Sequence, residues 1–201
     1  MPPLHPILLA AAKGEVPAWA CCSKSRRKHM GRVADLMNGW GKDLGLSKLQ
    51  RKRWKAAAWL HDCVKEEAPA ELRRVLRGKL RLLPDNVLHG PAAAVLLRRE
   101  GVRDEPLLQA ISYHTLGHGE FETIGMALYA ADFLEPGRRS RKRWRSGLRD
   151  RASDDLEGVV HEIVGARIQH LMKRGRPVRP ETMSLWNSMA EGEAWVRASV
   201  V

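Results

Sequence analysis

Hydrophobic residues recur along this chain at three- and four-residue steps, separated by basic stretches, with no apolar/polar alternation of useful length. The clearest example predicts a helix from about Arg26 to Trp40, where Met30, Val33, Ala34, Met37 and Trp40 share one face and His29 lies in the first turns. Gly41 and Gly45 break the pattern. Ser47 suits an N-cap for the next helix, which buries Trp54, Ala57, Ala58 and Leu60 and turns Arg51, Lys52, Arg53 and Lys55 to water. Before these, Pro6 to Lys13 reads as a short helix ended by Gly14. After them, Pro69 opens a short basic helix through Leu76, and LLPDNVLHGP connects it to a helix from Ala92 to Arg99.

The second half follows the same grammar. Asp104 caps EPLLQAISYH, which delivers His114 at its end, and the GHGEF loop leads into the strongly apolar helix ETIGMALYAADFLE carrying Asp132. RRSRKRWRSGLR, from Arg138 to Arg149, is a basic patch. Ser153 caps a long helix closed by Gly175, and a terminal amphipathic helix runs from Glu181 to about Ala190. The expectation is an all-α fold: a helical bundle of roughly eight helices. An N-terminal extension or short helix occupies 1–25, one domain spans 26–190, and 191–201 is a tail.

Size and charge narrow this. The 201 residues suffice for one well-filled core, and no apolar run approaches the roughly 18 residues of a membrane span. No basic stretch precedes the short N-terminal apolar patch, so a secretion signal is not indicated. Cys21, Cys22 and Cys63 lack zinc-finger spacing, and their odd number favours a reducing, cytoplasmic setting. The net charge of +12 points to polyanions: nucleotides, polyphosphates, RNA or acidic lipid. RKRWK and RRSRKRWR invite a nucleic-acid reading, but no recognised nucleic-acid module accompanies them. Trp144, amid arginines, suits either packing or stacking on a base.

The candidate chemistry centres on the adjacent pair His61-Asp62 at the end of the apolar run AAAWL. A carboxylate in a mostly buried turn is costly unless paired with a cation or a metal. Neighbouring helical residues diverge by about 100°, so two ions a few ångströms apart suit the pair, with Asp62 between them. Asp132 is a second buried-looking carboxylate, while His29, His89 and His114 stand at helix starts, junctions and ends. Any one of these six also has an ordinary structural use, as a cap or a hydrogen-bonded core group. Mixed imidazole and carboxylate donors suit Mn, Fe, Co, Ni or Zn better than Mg.

Taken together, His29, His61-Asp62, His89, His114 and Asp132 resemble the series of the HD-domain metal-dependent phosphohydrolases. RRKHMGRVADL, AAWLHDCVKE, LHGPAAAVLL, AISYHTLG and ALYAADFLEPGR are similar, more narrowly, to its YqeK-like branch, the symmetrical bis(5′-nucleosyl)-tetraphosphatases. That resemblance implies a helical domain, a dinuclear centre often holding iron, and hydrolysis of diadenosine tetraphosphate to two ADP. It implies one metal on His29, His61, Asp62 and Asp132, and another on Asp62, His89 and His114. It makes Asp62, Lys65 and Arg138 catalytic residues, and Lys65, Thr115, Gly117, His118 and Arg138 contacts for the substrate. His118 stands where the branch commonly has arginine, and a neutral imidazole lacks the guanidinium fork. Two alternatives stay open: an HD-type nucleotidase or other nucleotide phosphohydrolase, and a basic nucleic-acid-binding or regulatory protein with a structural metal site.

Overall fold

The computed structural model describes residues 3–198 apart from Arg139, with side chains described as far as Ala190. Among these residues there are ten α-helices, two 3₁₀ turns and no strand. The helices are α1 Pro6–Ala11, α2 Lys24–Asp43, α3 Lys48–Leu60, α4 Pro69–Val75, α5 His89–Arg99, α6 Glu105–Tyr113, α7 Thr123–Leu134, α8 Lys142–Arg151, α9 Leu156–Lys173 and α10 Pro180–Ala198. The 3₁₀ turns, Gly78–Leu82 and Asp85–Val87, lie between α4 and α5.

Local chemistry sets where these helices begin. Ser23 accepts from the backbone N–H of Arg26 to start α2. Ser47 and Gln50 form a reciprocal capping box at α3, and Asp104 accepts from Leu107 N to start α6. Asp104 also accepts from Nε and Nη2 of Arg53, at 2.5 and 2.6 Å, so this cap ties α3 to α6.

Helix α7 is the axis of the fold. It buries every residue from Ile124 to Ala131 and Leu134 as well, as a helix apolar on all sides must, and it packs against α2, α3, α6, α8 and α9. Helix α2 lies along α3, α5 along α6, and α1 closes over α3. Trp40 and Trp54 belong to the core, with Trp59 and Trp186 packed on it. Trp195 lies outside the residues whose side chains are described.

Several boundaries differ from the expected ones. Helix α5 begins at His89 rather than Ala92, because the turn Asp85–Val87 leads straight into it. Asp155, not Ser153, caps α9: its carboxylate accepts from Gly158 N at 2.9 Å. Helix α2 continues past Gly41 to Asp43, and only Gly45, with a φ of 69°, ends the run. The basic patch contains a helix, α8, held down by buried Arg145 and Leu148. The last helix continues from Ala190 to Ala198. Among the described residues, no helix is long and apolar enough to cross a membrane.

Candidate metal centre

Five helices bring their ends or inner faces to one point. Helix α3 ends at His61, with Asp62 in the following turn. Helix α6 ends at His114, α7 supplies Asp132 in its last turn, α5 supplies His89 at its start, and α2 supplies His29. Three helix C-termini converge here, and their unsatisfied carbonyls carry partial negative charge. Together with two carboxylates, they make a setting that favours cations.

All four histidines are buried, and their rings form a chain. Centroids lie 5.4 Å apart for His29–His61, 4.8 Å for His61–His114 and 4.9 Å for His89–His114. Asp62 sits between them, 4% exposed. Its Oδ2 is 3.6 Å from His61 Nε2 and 3.7 Å from His29 Nε2, while its Oδ1 is 3.0 Å from His89 Nε2 and 3.5 Å from His114 Nε2. Each carboxylate oxygen thus faces its own pair of imidazoles. Asp132 Oδ1 completes the first group, 3.1 Å from His29 Nε2.

The neighbours of the rings decide which nitrogen is available. His61 Nδ1–H donates to Ala58 O at 2.7 Å, and His114 Nδ1–H donates to Ile111 O at 2.8 Å. In both, the Nε2 lone pair is left facing the cluster. Glu135 Oε1 lies 3.4 Å from His29 Nδ1 and orients that ring in the same way. The Nε2 atoms of His29 and His61 are buried without a hydrogen bond. Buried polar atoms are ordinarily satisfied, so two orphaned lone pairs aimed at one carboxylate are what a metal would satisfy.

The spacing agrees. Donors held about 2.1 Å from one ion stand roughly 3 to 3.5 Å apart, and the contacts within the cluster run from 3.0 to 3.7 Å. His29, His61 and Asp132 form one metal-competent group, and His61, Asp62 and His114 form another. The cluster fits a dinuclear divalent-metal site.

Electrostatics favour the ligand-ready forms. Burial lowers the pKa of His61 and of His89 to about 4, so both are neutral near pH 7. Burial opposes ionisation of Asp132, but His29 beside it, with His61 and His114, outweighs that and holds the carboxyl well below its usual range. Asp62 is depressed in the same way: burial acts against it, and His61, His114 and His89 prevail. Cys63 is different. Burial raises its thiol strongly, so it is no nucleophile in this turn.

The residues expected to meet substrate divide into two groups. Lys65 lies at the cluster, its Nζ 3.1 Å from His89 Nδ1 and donating to Asn86 O at 3.0 Å. Arg138 Nη2 donates to Asp132 Oδ1 at 2.8 Å, and Thr115 Oγ1 is 3.0 Å from His114 Nε2. Gly117 has a backbone reason for being glycine: its φ is 86°, and a Cβ there would come within 2.5 Å of Leu185. His118 is not brought to the cluster. It packs at a tilt against Tyr113 with ring centroids 4.7 Å apart and lines a cavity of about 480 Å³ beside α5 and α6, with none of the six cluster residues in its lining.

Sequence reasoning missed two contributors. Arg26 Nη1 lies 2.7 Å from Asp62 Oδ2 and covers that oxygen from the solvent side. Glu135, 3% exposed, holds His29 and is itself held by Arg32 Nε at 2.5 Å and Gly137 N at 2.8 Å. Their spacing was the available signal: Arg26 is three residues before His29, and Glu135 three after Asp132, which brings each to the side of its own element that carries a cluster residue.

Comparison with known proteins places this geometry. The HD domain model matches residues 26–163. The symmetrical bis(5′-nucleosyl)-tetraphosphatase of Halalkalibacterium halodurans is 30% identical over 166 residues, covering 80% of this chain and 84% of that protein. The protein of the same name from Bacillus subtilis is 30% identical over 189 residues, covering 87% and 97%. A crystal structure from Clostridium acetobutylicum, titled a predicted HD superfamily hydrolase involved in NAD metabolism, superposes with a TM-score of 0.74. It covers 84% of this chain and 90% of its own, and its 23% identity speaks for a shared fold. Matched over more than half its length, with the histidine–aspartate cluster in place, the chain belongs to the HD-domain family and carries the active-site architecture of a metal-binding hydrolase.

Proposed function

We propose that this HD-superfamily metal-dependent phosphohydrolase cleaves diadenosine tetraphosphate symmetrically into two molecules of ADP. The observation that carries the reading is the division of Asp62, with Oδ2 turned to His29 and His61 and Oδ1 to His89 and His114. One ion would be held by His29, His61, Asp62 and Asp132, the other by Asp62, His89 and His114. The donor set suits iron, which we take as the resident metal, with Mn, Co, Ni or Zn able to replace it. The two tetraphosphatases at 30% identity support the substrate assignment.

A pair of divalent cations supplies Lewis-acid polarisation of a phosphoryl group and activation of water. The remaining work falls to the chain. Arg26 and Arg138 reach Asp62 Oδ2 and Asp132 Oδ1, the same oxygens that face His29, which fixes both carboxylates and leaves two guanidinium groups at the mouth of the site. Lys65 adds a third cation beside His89. All three lie where the negative charge of a polyphosphate collects, and they would stabilise the departing diphosphate. His61 and His89, neutral at pH 7, compete with no cation for the phosphate charge. No protein nucleophile is required, and Cys63 is too deeply buried to serve as one.

The test is product analysis. Incubation of the metal-loaded protein with diadenosine tetraphosphate should yield ADP alone. AMP with ATP would overturn symmetrical cleavage, and phosphate release from mononucleotides with the tetraphosphate untouched would favour a nucleotidase.

A further inference from the structure

A second cleft, of about 580 Å³, opens between the end of α7, the start of α8 and the second half of α9. That volume falls in the range of small-molecule sites, roughly 300–1,000 Å³. Its floor is apolar and aromatic: Phe133, Trp144, Ala166 and Leu171. The Trp144 ring meets Phe133 edge to face, with centroids 5.9 Å apart, and is fixed by its Nε1–H donating to Glu162 at 2.6 Å. Its rim is cationic, with Arg141 and Arg167.

Two covalent or hydrogen-bonded links tie this cleft to the metal cluster. Phe133 follows Asp132 directly, so the cleft floor begins one residue from a cluster carboxylate. On the other wall, Arg167 donates to Thr115 O at 2.6 Å, and Thr115 Oγ1 lies 3.0 Å from His114 Nε2. Arg141 shows strain as well. Its φ of 48° makes it the one non-glycine with a left-handed backbone among the described residues, and its guanidinium stands 5.6 Å from the Trp144 ring. Such outliers persist where surrounding structure enforces them, and they gather at ligand sites. Arg145, by contrast, is committed to structure. It is buried, donates to Phe133 O and Ser140 O, and stacks 4.0 Å from the Phe133 ring.

We propose that this cleft is the nucleoside subsite: it takes the base and ribose of a nucleotide whose phosphates lie at the metal cluster. A base has two flat apolar faces and a polar edge, so an aromatic floor with a cationic rim suits it. Trp144 is the stacking platform, and Arg141 and Arg167 flank the path of the phosphate chain. The subsite rests on the phosphohydrolase reading for where the phosphates go, but it does not depend on which anhydride is cut.

The experiment compares binding of ADP and of inorganic pyrophosphate to the full metal-loaded protein by calorimetry, in wild type, Trp144→Ala and Ala166→Phe. Trp144→Ala removes the platform, whereas Ala166→Phe fills the cleft and deletes no contact, so it also answers the case in which the first variant fails to fold. In either variant the ratio of ADP affinity to pyrophosphate affinity should fall about tenfold or more. An unchanged ratio in folded variants overturns the assignment. So does loss of single-stranded RNA binding with ADP affinity kept, which would give the cleft to nucleic acid. Failure of the wild type to hydrolyse diadenosine tetraphosphate would sink the substrate reading alone, because the affinity ratio still reads the cleft.

Discussion

A carboxylate only 4% exposed needs compensating charge, and Asp62 finds partners on both oxygens: Arg26 with His29 and His61 on one, His89 and His114 on the other. The six cluster residues were legible only as a set, because each alone suits a cap or a hydrogen-bonded core group, and His29 stands in the basic run RRKHM. Arg26 and Glu135 were not part of it. An arginine in RRKHM looks like any solvated cation until Asp62 arrives from another helix, and Glu135 at the end of an apolar run reads as a helix terminus. Glu135 orients rather than binds, through His29 Nδ1. Glu135→Gln should therefore weaken metal affinity about 10- to 100-fold, measured by competition with a chelator, with the melting temperature of the metal-free protein little changed. Unaltered metal affinity would mean that Glu135 only anchors Arg32.

At the scale of elements, periodicity placed most helices, since α2, α3, α6 and α7 each carry an apolar stripe or an apolar whole. Helix α8 escaped because KRWRSGLRDR has no such stripe. It is held to the fold by Leu148 and by an arginine buried through its backbone contacts, a use of arginine that pattern reading does not foresee. The close approach of α5 to α6 was equally hidden. A Cβ on Gly90 would come within 2.7 Å of Ser112 O and 2.8 Å of Ile111 O, and it is this approach that sets His89 Nε2 3.0 Å from His114 Nε2. Gly90→Ala should cost about 1–3 kcal/mol of stability, read by denaturant unfolding. It should also weaken metal binding by driving the two histidines apart. Stability and metal affinity both at wild-type level would show that the helices do not need this contact.

Across the whole molecule the net charge of +12 is not spread evenly in its consequences. Many of the basic residues cover helix faces in water, but Arg26, Lys65 and Arg138 gather at the mouth of a centre whose interior holds two carboxylates and three helix C-termini. The interior suits metal cations, and we propose that the mouth takes the anions on which such metals act. The resemblance in the sequence implied Lys65 and Arg138 at this mouth but not Arg26, and the wall formed by α8 and α9 emerged only in three dimensions. The direct test is a crystal structure of the metal-loaded protein with anomalous data at the metal edge. Two peaks flanking Asp62, one toward His29, His61 and Asp132 and the other toward His89 and His114, are the predicted result. A single peak, or peaks away from Asp62, would contradict it.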